Sequence, residues 1–386
     1  MSIIRVAFFL DHVEWQGGVN YFRSLFTAIN EASDVCIHPV VITGLKTNKN
    51  KFDDLVEIVR TPILDRYSLS WWTSKLFTKV FPFRDYILYV FLRKYKINLI
   101  SHNSVLWKNC KIPSTGWIPD FQHQHLPNFF DETECEARDK QFLDIIQRSN
   151  AMILSSQDAL NDLNKFYDDN EISSHILRFI PSICGNSNKS SNLSKKYNID
   201  QPWFYIPNQF WAHKNHLIVI EALRLLKEQG HNFLVISTGS TKDSRNKKYF
   251  PSLMKKVKDY SLQENFRILG MVPFPDVAAL MQHSIAVINP SLFEGWSTAV
   301  EESKALGKMV ILSNIKVHQE QSPERGYFFD PTDENMLAST MITVLDAYNT
   351  DNEEFHYNKA KSQHHSNRIG FAKKFEYICH KVISEC

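Results

Sequence analysis

The 386-residue sequence predicts an α/β protein made of two parallel-sheet, doubly wound domains. Apolar runs of strand length alternate with helix-period segments along the chain, the pattern of parallel α/β layers. One polar stretch, CGNSNKSSNLSKKYNID at 184–200, interrupts that alternation, and such composition marks a linker or exposed loop. The length itself suits about two or three domains. The expected division is a first domain over 1–183, a linker over 184–200, and a second domain over 201–370. A tail helix within 371–386 packs back on the first domain.

In chain order, IIRVAFFL opens as a strand, and VNYFRSLFTAIN then carries helical spacing. CIHPVVIT, INLISHN, GWIPDF and AMILSS follow as short strands. Beyond the linker, WFYIPNQ, NFLVIST, FRILG, SIAVINPS and MVILS are strands. The helices between them are HLIVIEALRLLKEQG, FPSLMKKVKDYS, FPDVAALMQH and residues 298–306. No internal repeat and no low-complexity segment breaks the scheme.

Composition narrows the function classes. A formal net charge of +2 is too small to imply a nucleic-acid partner. The six cysteines are scattered, without CxxC pairs or metal-ligand spacing, as reduced thiols in a cytosol would be. The first apolar run is too short for a signal segment, and no window offers the roughly 18 apolar residues of a membrane span. The expectation is a cytoplasmic-type protein.

Chemistry concentrates in NPSLFEGWSTAVEESKALGK, residues 289–308. A strand ends there and a helix begins, the place where open parallel sheets bind ligands. Thr298 to Glu301 matches a capping box, with Thr298 as cap and Glu301 reaching back to it, and Gly307 suits the C′ position. Glu301 is therefore read as structural. Glu302 lacks such a local role: its carboxylate can accept two ribose hydroxyls, or belong to a solvated helix face. In IPNQFWAHKNHLIVIEAL, Lys214 stands at a helix N-terminus, where the helix dipole disfavours a cation. An anion shared with that N-terminus explains it better than chance placement. His213 and His216 are candidate partners.

The E-x7-E pair, Glu294 and Glu302, resembles that of the retaining glycosyltransferases of family 4, which have the GT-B fold: two Rossmann-like doubly wound domains facing each other across a cleft. The likeness is strongest over 203–330 and extends more weakly before residue 180. It implies that Lys214 binds donor phosphate, that Glu302 binds ribose and that Glu294 lies by the donor sugar. It also implies that Gly270 and Val272 lie against the base, and that Gly295 and the amides of Ser297 and Thr298 belong to the donor site. The family's arginine five residues before the lysine is Gln209 here. Gly17 and Gly18 resemble the family's glycine loop, although a simple tight turn is the plainer alternative, and GxGxxG is absent.

GWIPDFQHQHLPNFF supplies the acceptor-side candidates. Asp120 is the catalytic candidate. Pro119 occupies the place of the family's histidine, for which His123 or His125 can substitute. No third histidine or cysteine is near in sequence to complete a metal site with them, and YDDNE at 167–171 reads as a solvated loop rather than a DxD motif. No metal or other cofactor is expected. The implied activity is sugar transfer from a nucleotide-diphosphate sugar, UDP- or GDP-linked, to a hydroxyl of a glycan or lipid-linked glycan, in surface polysaccharide or lipopolysaccharide synthesis. The rivals are a nucleotide-sugar epimerase or glycosidase and a non-catalytic sugar-binding protein. Residues 66–96, rich in aromatics, lysine and arginine with Asp85 as their acid, suit either an interfacial membrane contact or two helices packed inward around Pro82.

Overall fold

The computed structural model describes residues 3–10, 16–47, 51–69, 71–72, 86–107, 110–168, 171–183 and 190–386. Two units divide the chain. The first takes Met1–Phe121, Thr133–Ser182 and Ser366–Cys386; the second takes Gln122–Glu132 and Ile183–His365.

In the first unit, strands β1 (Ile4–Phe9), β2 (Ile37–Thr43), β3 (Glu57–Arg60) and β4 (Leu99–Ile100) form a parallel sheet in the order β3-β2-β1-β4. β5 (Thr115–Trp117), β6 (Ala151–Leu154) and β7 (Ser173–Ile176) form another, and a parallel bridge from Ile100 to Ser114 joins the two. Nearly every residue of β2 and β6 is buried, as expected for strands covered on both faces. The helix Gln157–Phe166 starts where the Ser156 hydroxyl accepts from the Ala159 N–H at 3.0 Å. The expected strand GWIPDF shortens to Thr115–Trp117, since Pro119 has no N–H to give a ladder.

The second unit holds one six-stranded parallel sheet. Its strands are β8 (Trp203–Ile206), β9 (Leu234–Thr238), β10 (Phe266–Gly270), β11 (Ala286–Asn289), β12 (Met309–Ser313) and β13 (Gly326–Phe329). They lie in the order β10-β9-β8-β11-β12-β13, so the direction of winding reverses between β8 and β11. That is the doubly wound order, and ligands of such sheets sit beyond the strand ends at the reversal. Period-two alternation feeds two cores. Phe204, Ile206 and Val235 pack with the helix His216–Glu228 on one face, while Trp203, Tyr205 and Ile236 pack with the helix Phe274–His283 on the other.

Two expectations change. Within 184–200, expected as a linker, Ser190–Tyr197 is helical and buries Leu193, and Ile199 joins it in the core of the second unit. The tail helix starts well before residue 371: it runs Thr350–Ser384, with its part from Ser366 belonging to the first unit. There Phe371, Phe375 and Ile378 are buried.

Candidate functional site

The loops after β8 and β11 meet at the strand reversal. After β8 the chain makes a 3-10 turn, Ala212–Lys214, and Asn215 takes a left-handed conformation before the helix His216–Glu228 begins. The Leu292 N–H donates to the His213 carbonyl at 2.8 Å, tying the two loops together. Lys214 Nζ then lies 2.6 Å from Glu294 Oε1. The anion opposite this lysine is thus a side chain of the same unit. The Ser291 hydroxyl donates to the same carboxylate oxygen at 2.6 Å. Burial pushes the Glu294 carboxyl up, but the charge of Lys214, the nearby His318 and these hydrogen bonds outweigh it and hold it at about 2.

A polar network beneath the pair fixes it. Asn289, the last residue of β11, accepts from Asn208 Nδ2 at 3.1 Å and donates to Ser297 Oγ at 2.6 Å, and its Oδ1 lies 2.7 Å from the Ser291 hydroxyl, whose single proton it shares with Glu294. Ser313 donates to the Ser291 carbonyl. These bonds satisfy groups that would be costly to bury alone. His318, buried beside the network and kept neutral by that burial, bonds through Nδ1 to the Ser313 carbonyl at 2.9 Å; its Nε2 has no partner.

The helix Thr298–Ala305 is capped one residue earlier than its sequence suggests. Ser297 is the N-cap, its hydroxyl accepting from Val300 N–H, and Thr298 is the first helical residue. Glu301 does not reach back to Thr298: it is buried and accepts from Lys304 Nζ and Gln321 Nε2, each at 2.9 Å. Its role is structural through tertiary contacts rather than a capping box. Gly307 does hold the C′ place, at φ 65, where a Cβ would lie 2.4 Å from the His356 carbonyl oxygen.

Glu302 is buried, and among the described residues no group gives its carboxylate a hydrogen bond or a cation. Burial alone raises it to about 8. The solvated-face alternative therefore falls. The N–H groups of Ser297 and Thr298 lie on the same helix start, and Gly295 in the loop before it. Gly270, at φ 68 with open space where a Cβ would stand, ends β10, with Val272 just beyond it at the edge of the same sheet. His216 is no ligand: it is fully buried, stacked on Phe210 with ring centroids 4.2 Å apart, and neutral through burial.

The remaining candidates are spread between the units. Gly17 and Gly18 lie in the first turn of the helix Gln16–Glu31, not in a loop before it. Asp120 belongs to the first unit, one residue before its first segment ends at Phe121, whereas His123 and His125 stand on the short helix Gln122–His125 of the second unit. His125 packs on Phe293, ring centroids 5.0 Å apart. Among the described residues no group of three or more His, Cys, Asp or Glu is placed to hold a metal ion. Sequence reasoning missed Asn289, Ser291 and His318. Asn289 carried a signal, being a polar residue at the end of an otherwise apolar strand, while His318 had none.

Residues 189–362 match the family model of glycosyl transferases group 1. Lys214, Glu294 and Glu302 all lie inside that match. The chain is similar to the O-antigen chain mannosyltransferase RfbU of Salmonella typhimurium, 27% identical over 165 residues, which are 43% of this chain and 44% of that protein. The match thus spans less than half of the curated relative. Among solved structures, a glycosyltransferase from Rickettsia africae superposes with a TM-score of 0.70 at 14% identity, over 100% of both chains. Anabaena HepE, in complex with UDP and glucose, gives 0.69 at 15% identity, over 99% of this chain and 100% of that one. These likenesses show the fold: GT-B, with parallel sheets in two Rossmann-like domains.

Proposed function

We propose that the protein is a retaining glycosyltransferase that moves a sugar from a nucleotide-diphosphate sugar to a hydroxyl of a glycan or lipid-linked glycan. Glu302 carries the reading. A buried carboxylate without a partner among the described residues is costly, and the two hydroxyls of a ribose are donors that would relieve it. It lies one helical turn from the N-terminal amides of Ser297 and Thr298, and that helix start follows the loop of Glu294, which Lys214 meets from the loop after β8. Amides at a helix start and a lysine together suit a diphosphate. Departure of that diphosphate leaves positive charge on the sugar carbon, which a carboxylate such as Glu294 can stabilise.

Lys214 and the helix-start amides meet part of the charge on the leaving group, and no metal enters this reading. Asp120, and His123 or His125, are the acceptor-side candidates, with the leaving phosphate taking the acceptor's proton. Similarity to an O-antigen chain mannosyltransferase supports surface polysaccharide synthesis as the setting. The aromatic and basic segment 66–96 supports peripheral attachment to the membrane bearing a lipid-linked acceptor.

A thermal-shift screen with UDP, GDP, ADP and dTDP identifies the base, because a ligand of the native state raises its stability. Radiolabelled nucleotide sugars with and without acceptor then decide the reaction. Transfer to added acceptor supports the proposal. Interconversion of the nucleotide sugar, or binding without turnover, replaces it with an epimerase or a binding protein.

A further inference from the structure

The charges at the candidate donor site do not balance for the proposed ligand. Lys214 is already matched by Glu294 at 2.6 Å, and Glu302, pushed up to about 8 by burial, brings no positive charge. His213, His216 and His318 are all held neutral by burial, each well below the usual histidine range. A nucleoside diphosphate brings at least two further negative charges, and Gln209 supplies none of the positive charge they need.

The loop after β9 offers it. β9 is the neighbour of β8, and its loop, STKDSRNKK at 240–248, carries Lys242, Arg245, Lys247 and Lys248 against Asp243. This loop is fastened to the turn that holds Lys214. The Phe210 N–H donates to the Ser240 carbonyl at 2.9 Å, and the Ala212 N–H donates to Asp243 Oδ2 at 3.2 Å. Gly239, at φ 130, lets the two loops touch: a Cβ there would stand 2.7 Å from the Asn208 carbonyl oxygen. The second oxygen of Asp243 accepts from the Arg245 N–H at 3.0 Å. One carboxylate thereby sets the position of Arg245 relative to the Lys214 turn.

The guanidinium is held as well. It lies 4.3 Å from the centroid of the Phe130 ring, a distance at which a planar cation is attracted to an aromatic face. Phe130 belongs to the same segment as His125, which packs on Phe293 beside Glu294. The segment thus touches both the arginine and the loop of the first glutamate. The charge of Arg245 is also felt at His213, the residue before Lys214.

We infer that Arg245 is the second cation of the diphosphate site, acting with Lys214 and taking the part that Gln209 cannot. This rests on the proposed use of a nucleotide-diphosphate donor. A guanidinium suits it, since its planar fork can meet two phosphate oxygens at once, and its exposed place on a loop lets a ligand reach it.

Equilibrium binding of UDP and GDP, and of the matching nucleosides, tests the assignment in the wild type, Arg245→Ala, Arg245→Lys and Arg245→Ala/Gln209→Arg. The expected result is a diphosphate affinity lower by roughly ten- to hundredfold in Arg245→Ala, with nucleoside affinity and melting temperature unchanged. Lysine should restore part of the loss, and arginine at 209 should restore more. Equal diphosphate affinity in wild type and Arg245→Ala overturns the inference. So does an equal loss for nucleoside and diphosphate, which marks a structural role. A wild type that binds neither diphosphate overturns the donor reading itself, and the inference with it.

Discussion

Lys214 and Glu294, eighty residues apart, form an ion pair of 2.6 Å in which both side chains are largely shielded from water. Their strands, β8 and β11, are the two neighbours between which the sheet reverses its winding. Under the proposed function a donor diphosphate would compete with Glu294 for the lysine. Lys214→Ala should abolish most turnover and also destabilise the fold, because a shielded carboxylate loses its counter-charge at a cost of about 3–5 kcal/mol. Lys214→Ala/Glu294→Gln removes that uncompensated charge. Denaturant melts should show stability largely recovered in the double variant while turnover stays lost. Recovery of both would make the pair purely structural.

Glu302 gives the protein a pH signature. Its folded value of about 8 lies above the ordinary 4.5, so the native state holds this proton more tightly than the unfolded chain does. The contribution to stability is greatest below about pH 4.5 and declines as pH rises toward 8. Glu302→Gln should flatten the fall in melting temperature over that window and, in the same variant, weaken nucleotide binding. A wild-type and variant pair with parallel melting curves across pH 5 to 8 would remove the unpaired carboxylate from the account.

Glu294 runs the other way. Its folded value of about 2 lies below 4.5, so its contribution is fully present above pH 4.5 and is lost as pH falls through 2. Acid unfolding of Glu294→Gln should therefore be less steep between about pH 4.5 and 2 than that of the wild type. Identical acid-unfolding profiles would mean that the Lys214 contact does not form in solution.

The neighbouring glutamates should separate cleanly. Glu301→Ala strips acceptors from Lys304 and Gln321 in a buried place, a loss of roughly 1–3 kcal/mol, with nucleotide affinity little changed. Glu302→Ala should reverse that order. Equal affinity losses in the two variants would end the division of labour.

Much of this site was legible because its signals are local. A strand followed by Glu294 and a helix, and Lys214 at another helix start, need only the alternation of elements to be placed. What failed was set by distant contacts. Ser297 wins the cap from Thr298 while its hydroxyl is also engaged by Asn289 Nδ2 across the network, which no spacing rule reports. The polar run at 184–200 conceals a helix because, among the described residues, only Leu193 and Ile199 are buried from it. β3 escaped because only Val59 of its four residues is buried. Arg245 sits in a loop whose composition alone reads as a solvated surface, and only its anchoring by Asp243 and Phe130 singles it out.

Turnover should survive EDTA. In the proposed site the positive charge comes from Lys214, Arg245 and helix-start amides, which would bridge the diphosphate without a metal. Assays with EDTA, and after adding back magnesium or manganese, check this. Activity that vanishes and then returns with the metal would show that these groups are not sufficient.

The last expectation concerns residues 66–96, of which 70 and 73–85 lie outside the described residues. The helix Tyr86–Lys94 packs inward through Leu88 and Leu92, with Phe91 partly buried. That part follows the inward-packing alternative. Val90, however, is 50% exposed, as are Tyr67 at 77%, Leu69 at 81% and Trp72 at 55%. Trp71 packs edge-on against Trp72 and also meets the Tyr67 ring, so these aromatics form a cluster rather than scattered side chains. Aromatic rings with nearby cations suit the headgroup region of a bilayer, where apolar burial and attraction to anionic lipid act together. Sedimentation with anionic liposomes should carry the protein down at low salt. Replacing Leu69 and Trp72 by serine should weaken that binding through lost burial. Changing Lys75, Lys79 and Arg84 to glutamate should weaken it through charge, most visibly at low ionic strength, where screening is least. Neither change should alter sugar transfer to a water-soluble acceptor analogue. Failure to sediment at low salt, or indifference to both sets of substitutions, would leave these aromatics as surface residues without a lipid role.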